Sequence, residues 1–395
     1  MSVGGSELLH GGEEAVAPEA GAPSGGEIAA RSPLNLFWRR LRADRVAMAA
    51  GVFLILLILV AFPIAPLIQH ALGIPGPNVQ NTKVLDEFGS PTGPSGAHPF
   101  GVDPLGRDVL SRVLAGARVS LIIAIVATAI SVTLGVVMGM FAGFYRAWVD
   151  TAISRFIDIL LAFPILLFGI GLASACSLGS GCLKASGVGR YFFLPLLGIT
   201  LLLVGVNVLW QRRRGRSFDR SSLIVPGVLA LLFLVFGVFL GFIASSKQGI
   251  IKPGLTVVIF VIAFVNWTYI ARIIRGQVLT LREKEFVDAA RAQGASNVRV
   301  LFKEILPNLV APIIVYSTLI IPQNILFEAS LSFLGVGVQP PQASWGAMLQ
   351  DATNIFDTAW WYMLFPGVAL LLTVLAFNLL GDGLQDALNP RATKS

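Results

Sequence analysis

The stretch EKEFVDAARAQG occupies residues 283–294, and the chain continues from it to EILP at residues 304–307. This is the longest polar segment in the second half of a very apolar chain, and hydrophobic segments flank it on both sides. Gly294 can end a helix in the left-handed conformation, and Pro307 is predicted to stop the following turn. Helical spacing places small residues and one aromatic on a shared face: Phe286, Ala289, Ala290, Gln293 and Gly294. The segment is therefore either a solvated amphipathic loop or a flat surface that another protein approaches closely.

The composition is that of an integral membrane protein. Hydrophobic residues make up 55% of the chain and charged residues only 13%, against roughly 25% charged residues in soluble domains. Two cysteines and three scattered histidines exclude a His/Cys metal cluster at recognisable spacing. Residues 1–32 contain no apolar core, so they predict a disordered cytoplasmic tail and no cleavable signal peptide.

The apolar segments predict an all-α polytopic protein with eight spans. Residues 33–45 combine leucine, phenylalanine and tryptophan with four arginines, which is typical of an interfacial amphipathic helix. The spans lie at about 46–68, 119–144, 153–173, 191–210, 222–244, 255–274, 309–338 and 360–380. Residues 69–118 form an extracytoplasmic loop, residues 174–253 a helical hairpin with a basic tip, and residues 383–395 a cytoplasmic tail.

The distribution of positive charge gives the orientation. An even number of spans puts both termini on one side of the membrane. Most of the 29 Lys and Arg residues fall in segments on that same side, so the positive-inside rule predicts that both termini are cytoplasmic. The net charge of +7 is then a signal of topology and not of nucleic-acid binding.

Two local patterns predict how the spans pack. Gly135, Gly139 and Gly143 recur at four-residue spacing in the second span, so a neighbouring helix can approach closely there. Arg155 and Asp158 lie in the first turns of the third span, where they either reach the interface or pair with each other.

The sequence contains no recognisable catalytic residues. It has no Gly-Lys pair and hence no Walker A loop, and it lacks the HExxH and GxSxG patterns. Glu328 is the only ionisable group deep in a span, so together with the nearby Asn324 it is a candidate for a translocation pathway. The alternative is a structural role, in which Pro322 breaks the helix and the freed backbone groups need polar partners.

Cys176 and Cys182 flank a short glycine-containing loop that the topology places on the outer side. They are either joined by a disulfide, which the oxidising environment would favour, or present as two free thiols.

Several motifs resemble those of the permeases of ATP-binding-cassette (ABC) importers. Residues 288–307 are similar to the EAA motif of that family, with Asp288-Ala289-Ala290, then Gly294, then Leu306-Pro307. Asp replaces the usual Glu at 288, and Glu304 replaces an Ile. Further stretches look like the C-type permease of dipeptide and oligopeptide importers: AHPFGVDPLGRDVLSR at 97–112, EASLSFLG at 328–335, VQPPQASWGAM at 338–348 and AFNLLGDGL at 376–384.

The resemblance implies a type I ABC importer fold with six core helices, which covers about residues 33–173 and 254–392 and leaves 174–253 as an insertion. It implies a permease of the bacterial or archaeal inner membrane that pairs with a homologous second permease. Two separate ATPase subunits would carry ATP and Mg²⁺, so this chain needs no cofactor of its own and is not an enzyme. A binding protein would deliver peptides from outside. The ATPase-coupling residues would be Phe286, Asp288, Ala289, Ala290, Gln293, Gly294, Leu306 and Pro307.

Other readings remain open from the sequence. Permeases of this group also serve nickel complexes and oligosaccharides. An ion-coupled secondary carrier is a different class of transporter, and a single buried carboxylate gives it little support. An intramembrane enzyme would need a nucleophile–base pair, which the sequence lacks.

Overall fold

The structure is a computed structural model that describes residues 33–145, 148–162, 164, 166–167, 169–171 and 253–388. Throughout these residues the regular elements are helical, apart from an isolated bridge between Val102 and Asp108. The predicted N-terminal tail, nearly all of the hairpin at 174–253, the Cys176–Cys182 pair and residues 389–395 lie outside the described residues.

The helices in the described part of the chain are named here in sequence order. They are α1 (Pro33–Ala43), α2 (Arg45–Ala71), α3 (Val109–Phe144), α4 (Trp148–Ala162), α5 (Pro253–Leu281), α6 (Glu285–Ala292), α7 (Asn297–Phe333), α8 (Trp345–Ala352) and α9 (Trp360–Leu388). Of these, α2, α3, α5, α7 and α9 are long and apolar enough to cross a membrane. They correspond to five of the predicted spans. The total of eight spans and the cytoplasmic position of the termini stay predictions.

The glycine-lined face of α3 packs against α5, as the sequence predicts. A Cβ atom added at Gly139 would lie 2.6 Å from the Ala271 carbonyl oxygen. One added at Gly135 would lie 2.8 Å from the Trp267 carbonyl oxygen, and one at Gly143 would lie 2.8 Å from that of Arg275. Because a side chain at any of the three positions would collide with the α5 backbone, the glycines set how closely the two helices approach.

The second membrane helix begins ten residues before the predicted start at 119, because α3 starts at Val109. Asp108 caps it: one carboxylate oxygen accepts from the Ser111 backbone N–H at 2.8 Å, and the other lies 2.8 Å from His98 Nδ1. The first turns of α3 contain the polar residues Ser111, Arg112 and Arg118. These residues conceal the start of the helix from hydropathy, although Ser111 and Arg112 are buried.

The prolines do not end helices as predicted. Pro307 follows a π-helical stretch at Val300–Ile305 and sits in the first turn of the regular part of α7. A proline lacks a backbone donor and its ring crowds the carbonyl of the preceding turn, and the wider π-helical turn before Pro307 accommodates both. Pro312 and Pro322 lie inside α7, which continues without a break to Phe333. Pro322 therefore does not break the helix, and the predicted span to 338 ends five residues earlier.

The partner of Asp158 on α4 and the last residue of α9 also differ from expectation. Asp158 does not pair with Arg155; it accepts from Arg272 of α5 at 2.7 Å, and both partners are about half exposed. Arg275 donates to Asp150 at 2.9 Å, and this hydrogen bond holds the pKa of the Asp150 carboxyl below its usual range. α9 continues to Leu388, so the first residues of the predicted tail at 383–395 are helical.

Candidate functional site

The polar segment singled out in the sequence forms the short helix α6 between the membrane helices α5 and α7. Val287 is completely buried and, with the half-buried Ala290, packs into a core that contains Val300, Leu301 and Ile305 of α7. These apolar contacts seat one side of α6 on the protein and leave the opposite side exposed.

A glycine ends α6, as predicted. Gly294 has φ +80°, and its N–H bonds the Arg291 carbonyl at 2.9 Å. The Ala295 N–H bonds the Ala290 carbonyl at 3.0 Å. This pair of bonds is a Schellman motif, which fixes where the chain leaves the helix.

Two arginines tie the α6 region to the end of α3. The Arg282 guanidinium donates to the Gly143 carbonyl at 2.6 Å, and Arg291 lies over the Phe144 ring at 5.7 Å from its centroid. A cation close to the last carbonyls of a helix is favourable for the helix dipole. The position of α6 is therefore linked directly to the Gly-lined α3–α5 pair.

The outward side of α6 carries most of the residues that the sequence assigns to a coupling surface. Phe286 is 37% exposed, and Asp288, Ala289, Gln293 and Gly294 are also exposed. Two assigned residues point elsewhere: Ala290 and Leu306 are only partly accessible and pack against the core beneath α6. Pro307 is exposed at the start of the regular part of α7.

Two exposed apolar residues near α6 were not predicted from the sequence. Val298 and Phe302, on the first turns of α7, are 42% and 45% exposed. Apolar side chains within a polar loop are a signal for such a surface, although periodicity alone does not separate them from the buried Val300 and Leu301. We call Phe286, Asp288, Ala289, Gln293, Val298 and Phe302 the coupling surface.

Glu328 lies inside the subunit and not on its surface. It is completely buried on α7 and accepts from the Ser120 hydroxyl of α3 and the Ser332 hydroxyl, both at 2.7 Å. The Ser332 oxygen in turn accepts from the Val338 backbone N–H at 3.1 Å. The carboxyl group thus joins α3, α7 and the loop after α7.

Asn324, one turn before Glu328, is also completely buried. Its side-chain oxygen accepts from Asn266 of α5 at 2.6 Å, and its amide donates to Thr128 of α3 at 2.7 Å. The two polar clusters hold together the three helices α3, α5 and α7 within the membrane region. These contacts favour a structural role for Glu328 over a role in a translocation pathway. A pathway role for Glu328 and Asn324 stays a prediction.

The motif at residues 97–112 forms a buried cluster of charges at the opposite end of the molecule from α6. Asp103 accepts from the Arg107 side chain at 2.6 Å, and Arg112 lies 3.4 Å from the same carboxylate oxygen. Beside it opens a polar cavity of 590 Å³, lined in part by Arg107, Gln339, Gln350 and Asp351. In the described part of the chain, no group of three His, Cys, Asp or Glu residues could hold a metal ion.

Comparisons with known proteins agree on one family. Residues 181–394 match the family of binding-protein-dependent transport system inner membrane components, and residues 32–78 match the N-terminal transmembrane domain of oligopeptide transport permease C. The chain is 33% identical over 361 residues to a glutathione transport system permease protein of Pectobacterium atrosepticum, covering 91% of this chain and 92% of the relative. It is 32% identical over 369 residues to a dipeptide transport system permease protein of Alkalihalophilus pseudofirmus, covering 93% of each.

Proposed function

Because the chain belongs to the family of binding-protein-dependent transport system inner membrane components, we propose that α6 is the helix through which an ATPase subunit drives this permease. The chain is a multi-pass permease subunit of an ABC importer in the inner membrane, as its relatives are. It is not an enzyme, since ATP hydrolysis in these transporters resides in separate subunits. Such importers work with a second permease, ATPases and a binding protein.

The exposure of the coupling surface is the observation that carries this proposal. Phe286, Val298 and Phe302 expose apolar side chains on a segment whose other exposed residues are polar or small. Apolar patches with a polar rim mark protein interaction sites. The buried side of α6 is anchored through Val287, so a force applied to the outer side passes to α7 and, through Arg282, to α3.

The proposed mechanism is a rigid-body alternation. Closure of an ATP-bound ATPase dimer would move α6 together with the helices it is packed on, and so turn the cavity between two permease subunits outward. This chain would form half of that pathway, with a homologous permease forming the other half. We propose eight spans with both termini cytoplasmic, which places α6 on the ATPase side.

Peptides are the proposed cargo. The relatives are named as permeases for glutathione and for dipeptides, both of which are short peptides. A binding protein would deliver the peptide at the outer face, which in the proposed topology is the side of the polar cavity beside Arg107 and Gln350.

The coupling assignment is tested by Ala289→Glu, which places a long charged side chain on the exposed side of α6. We expect loss of ATPase co-purification from a permease that still folds, because the substitution obstructs the surface without disturbing its buried side. Ala71→Glu is the matched control, since Ala71 is also exposed but lies at the end of α2. Undiminished co-purification with the Ala289→Glu variant would refute the assignment.

The transport class is tested with the assembled complex in proteoliposomes. We expect uptake of a labelled dipeptide that requires both ATP and the binding protein. Uptake driven by an ion gradient without ATP would contradict an ATP-driven importer. ATP-dependent uptake of a nickel complex or an oligosaccharide, with none of the peptide, would contradict the cargo alone.

A further inference from the structure

The helix α1 presents a basic face that points away from the rest of the protein. Asn35, Trp38, Arg39 and Arg42 follow one another at helical spacing, and all four are exposed. Trp38 is 50% exposed, and the Arg42 guanidinium lies 5.9 Å from the centroid of its ring. The exposed Arg45 follows directly at the start of α2.

The opposite side of α1 is fixed to the protein. Leu41 is 5% exposed and, with Phe37, packs against Ala47 of α2 and against Leu384 and Ala387 near the end of α9. α1 is therefore part of the folded subunit, and its basic face has a defined direction.

The start of α2 places this face at the edge of the membrane. Only Asp44 separates the two helices, and its carboxylate accepts from the Val46 and Ala47 backbone N–H groups at 3.0 and 3.1 Å. From Val46 onward α2 exposes apolar side chains, including Ile55 at 60% exposure, as expected for contact with lipid tails. The basic face thus lies where the lipid headgroups begin, a level at which tryptophan and arginine are favoured.

We propose that the α1 face formed by Trp38, Arg39 and Arg42, extended by Arg45, binds the headgroups of anionic phospholipids. Arginine presents planar donors that match phosphate oxygens in pairs, and tryptophan sits at the boundary between headgroup and tail. Asp44 is the single acidic residue between positions 33 and 62, against four arginines, so this segment keeps a net positive charge. Because Leu41 joins α1 to α9, a bound lipid would also steady the end of the last membrane helix.

The experiment reconstitutes the full chain in nanodiscs that contain phosphatidylglycerol and phosphatidylcholine, and counts the phosphatidylglycerol molecules that stay bound on mild extraction by native mass spectrometry. We compare the wild type with R39Q/R42Q, in which both charges are removed, and with R39K/R42K, in which both are kept. K83Q removes a charge from the loop after α2, away from α1. Quenching of Trp38 fluorescence by brominated lipid, read as the difference between the wild type and Trp38→Phe, reports contact with the bilayer in the assembled importer.

We expect R39Q/R42Q to lower the retention of phosphatidylglycerol by roughly thirtyfold, because each of the two removed charges contributes about 1 kcal/mol near an anionic surface. K83Q should retain wild-type levels. R39K/R42K should retain more phosphatidylglycerol than R39Q/R42Q and less than the wild type, because it keeps both charges but loses the paired guanidinium donors. Equal retention by R39Q/R42Q and the wild type would overturn the proposal, as would an equal loss in K83Q. A Trp38 that brominated lipid does not quench in the assembled importer would show that a protein covers the face, and would also overturn it.

Discussion

Gly139→Ala probes the contact between α3 and α5, on which the position of α6 depends through Arg282 and Gly143. The added methyl group would lie 2.6 Å from the Ala271 carbonyl oxygen and 2.9 Å from Ile274 Cβ. Both distances are shorter than van der Waals contact, and one of the neighbours is backbone. The helices must therefore separate to accept the methyl group.

The expected magnitude follows from two opposing terms. Forcing a methylene-sized group into a packed interface costs ~1–3 kcal/mol, while alanine in place of glycine inside a helix gains ~1 kcal/mol. The net effect of Gly139→Ala is thus a destabilisation of up to ~2 kcal/mol. Gly276→Ala is the matched control on α5, because a Cβ atom there meets nothing within 4 Å. That variant receives the helical gain alone, so the difference between the two variants isolates the steric cost of ~1–3 kcal/mol.

The assay compares the midpoints of heat-induced unfolding of the two purified variants in the same detergent. We expect a lower midpoint for Gly139→Ala than for the wild type or for Gly276→Ala, and also less ATPase co-purification for each amount of folded permease. Equal midpoints for the two variants would refute the reasoning, because they would show that α3 and α5 do not approach as closely as described.

Two further predictions concern polar contacts. Glu328→Gln is expected to keep the fold and the peptide uptake, since an amide still offers hydrogen-bonding partners to Ser120 and Ser332. Glu328→Leu leaves both hydroxyls without their acceptor, which costs ~1–3 kcal/mol for each hydroxyl. We expect this loss to lower the unfolding midpoint of the Glu328→Leu variant. Loss of uptake in a fully stable Glu328→Gln variant would instead assign Glu328 to the pathway. Arg275 lowers the pKa of Asp150 in the folded state, so this contact stabilises the protein above the usual carboxyl pKa of 3.8 and is lost as the pH falls through the lowered value. Asp150→Asn should therefore lower the unfolding midpoint near neutral pH by the equivalent of ~0.2–1 kcal/mol, a small effect because the pair is partly exposed to solvent. The difference between the variant and the wild type should disappear in acid. A difference that persists unchanged in acid would contradict this account.

The sequence was most informative where a property is local. An apolar run of about 20 residues must satisfy its backbone within a helix in lipid, so the membrane class and the described membrane helices followed from composition. Glycines at four-residue spacing predict close packing because the lack of a side chain is itself the cause. The Gly294 end of α6 was predictable for the same kind of reason, since glycine adopts a positive φ without steric cost.

Tertiary contacts decided what the sequence left open. Ala289 and Ala290 are equivalent in sequence, and only the core formed by Val300, Leu301 and Ile305 makes one of them face outward and the other inward. Asp158 has Arg155 nearby on its own helix, yet it pairs with Arg272 of α5.

One physical reason explains why the sequence determined some features and the tertiary structure determined others. Helix formation in a membrane is set by the residues of the segment itself, so the sequence alone determined that this chain is a helical membrane protein with a short polar helix between two apolar ones. The direction of each side chain depends on partners that are distant in sequence, up to 208 residues for the hydrogen bond between Ser120 and Glu328. Only the packing of α3, α5 and α7 decided that Glu328 and Asn324 are buried within the subunit, and only the packing of α6 on α7 decided which side of α6 is exposed.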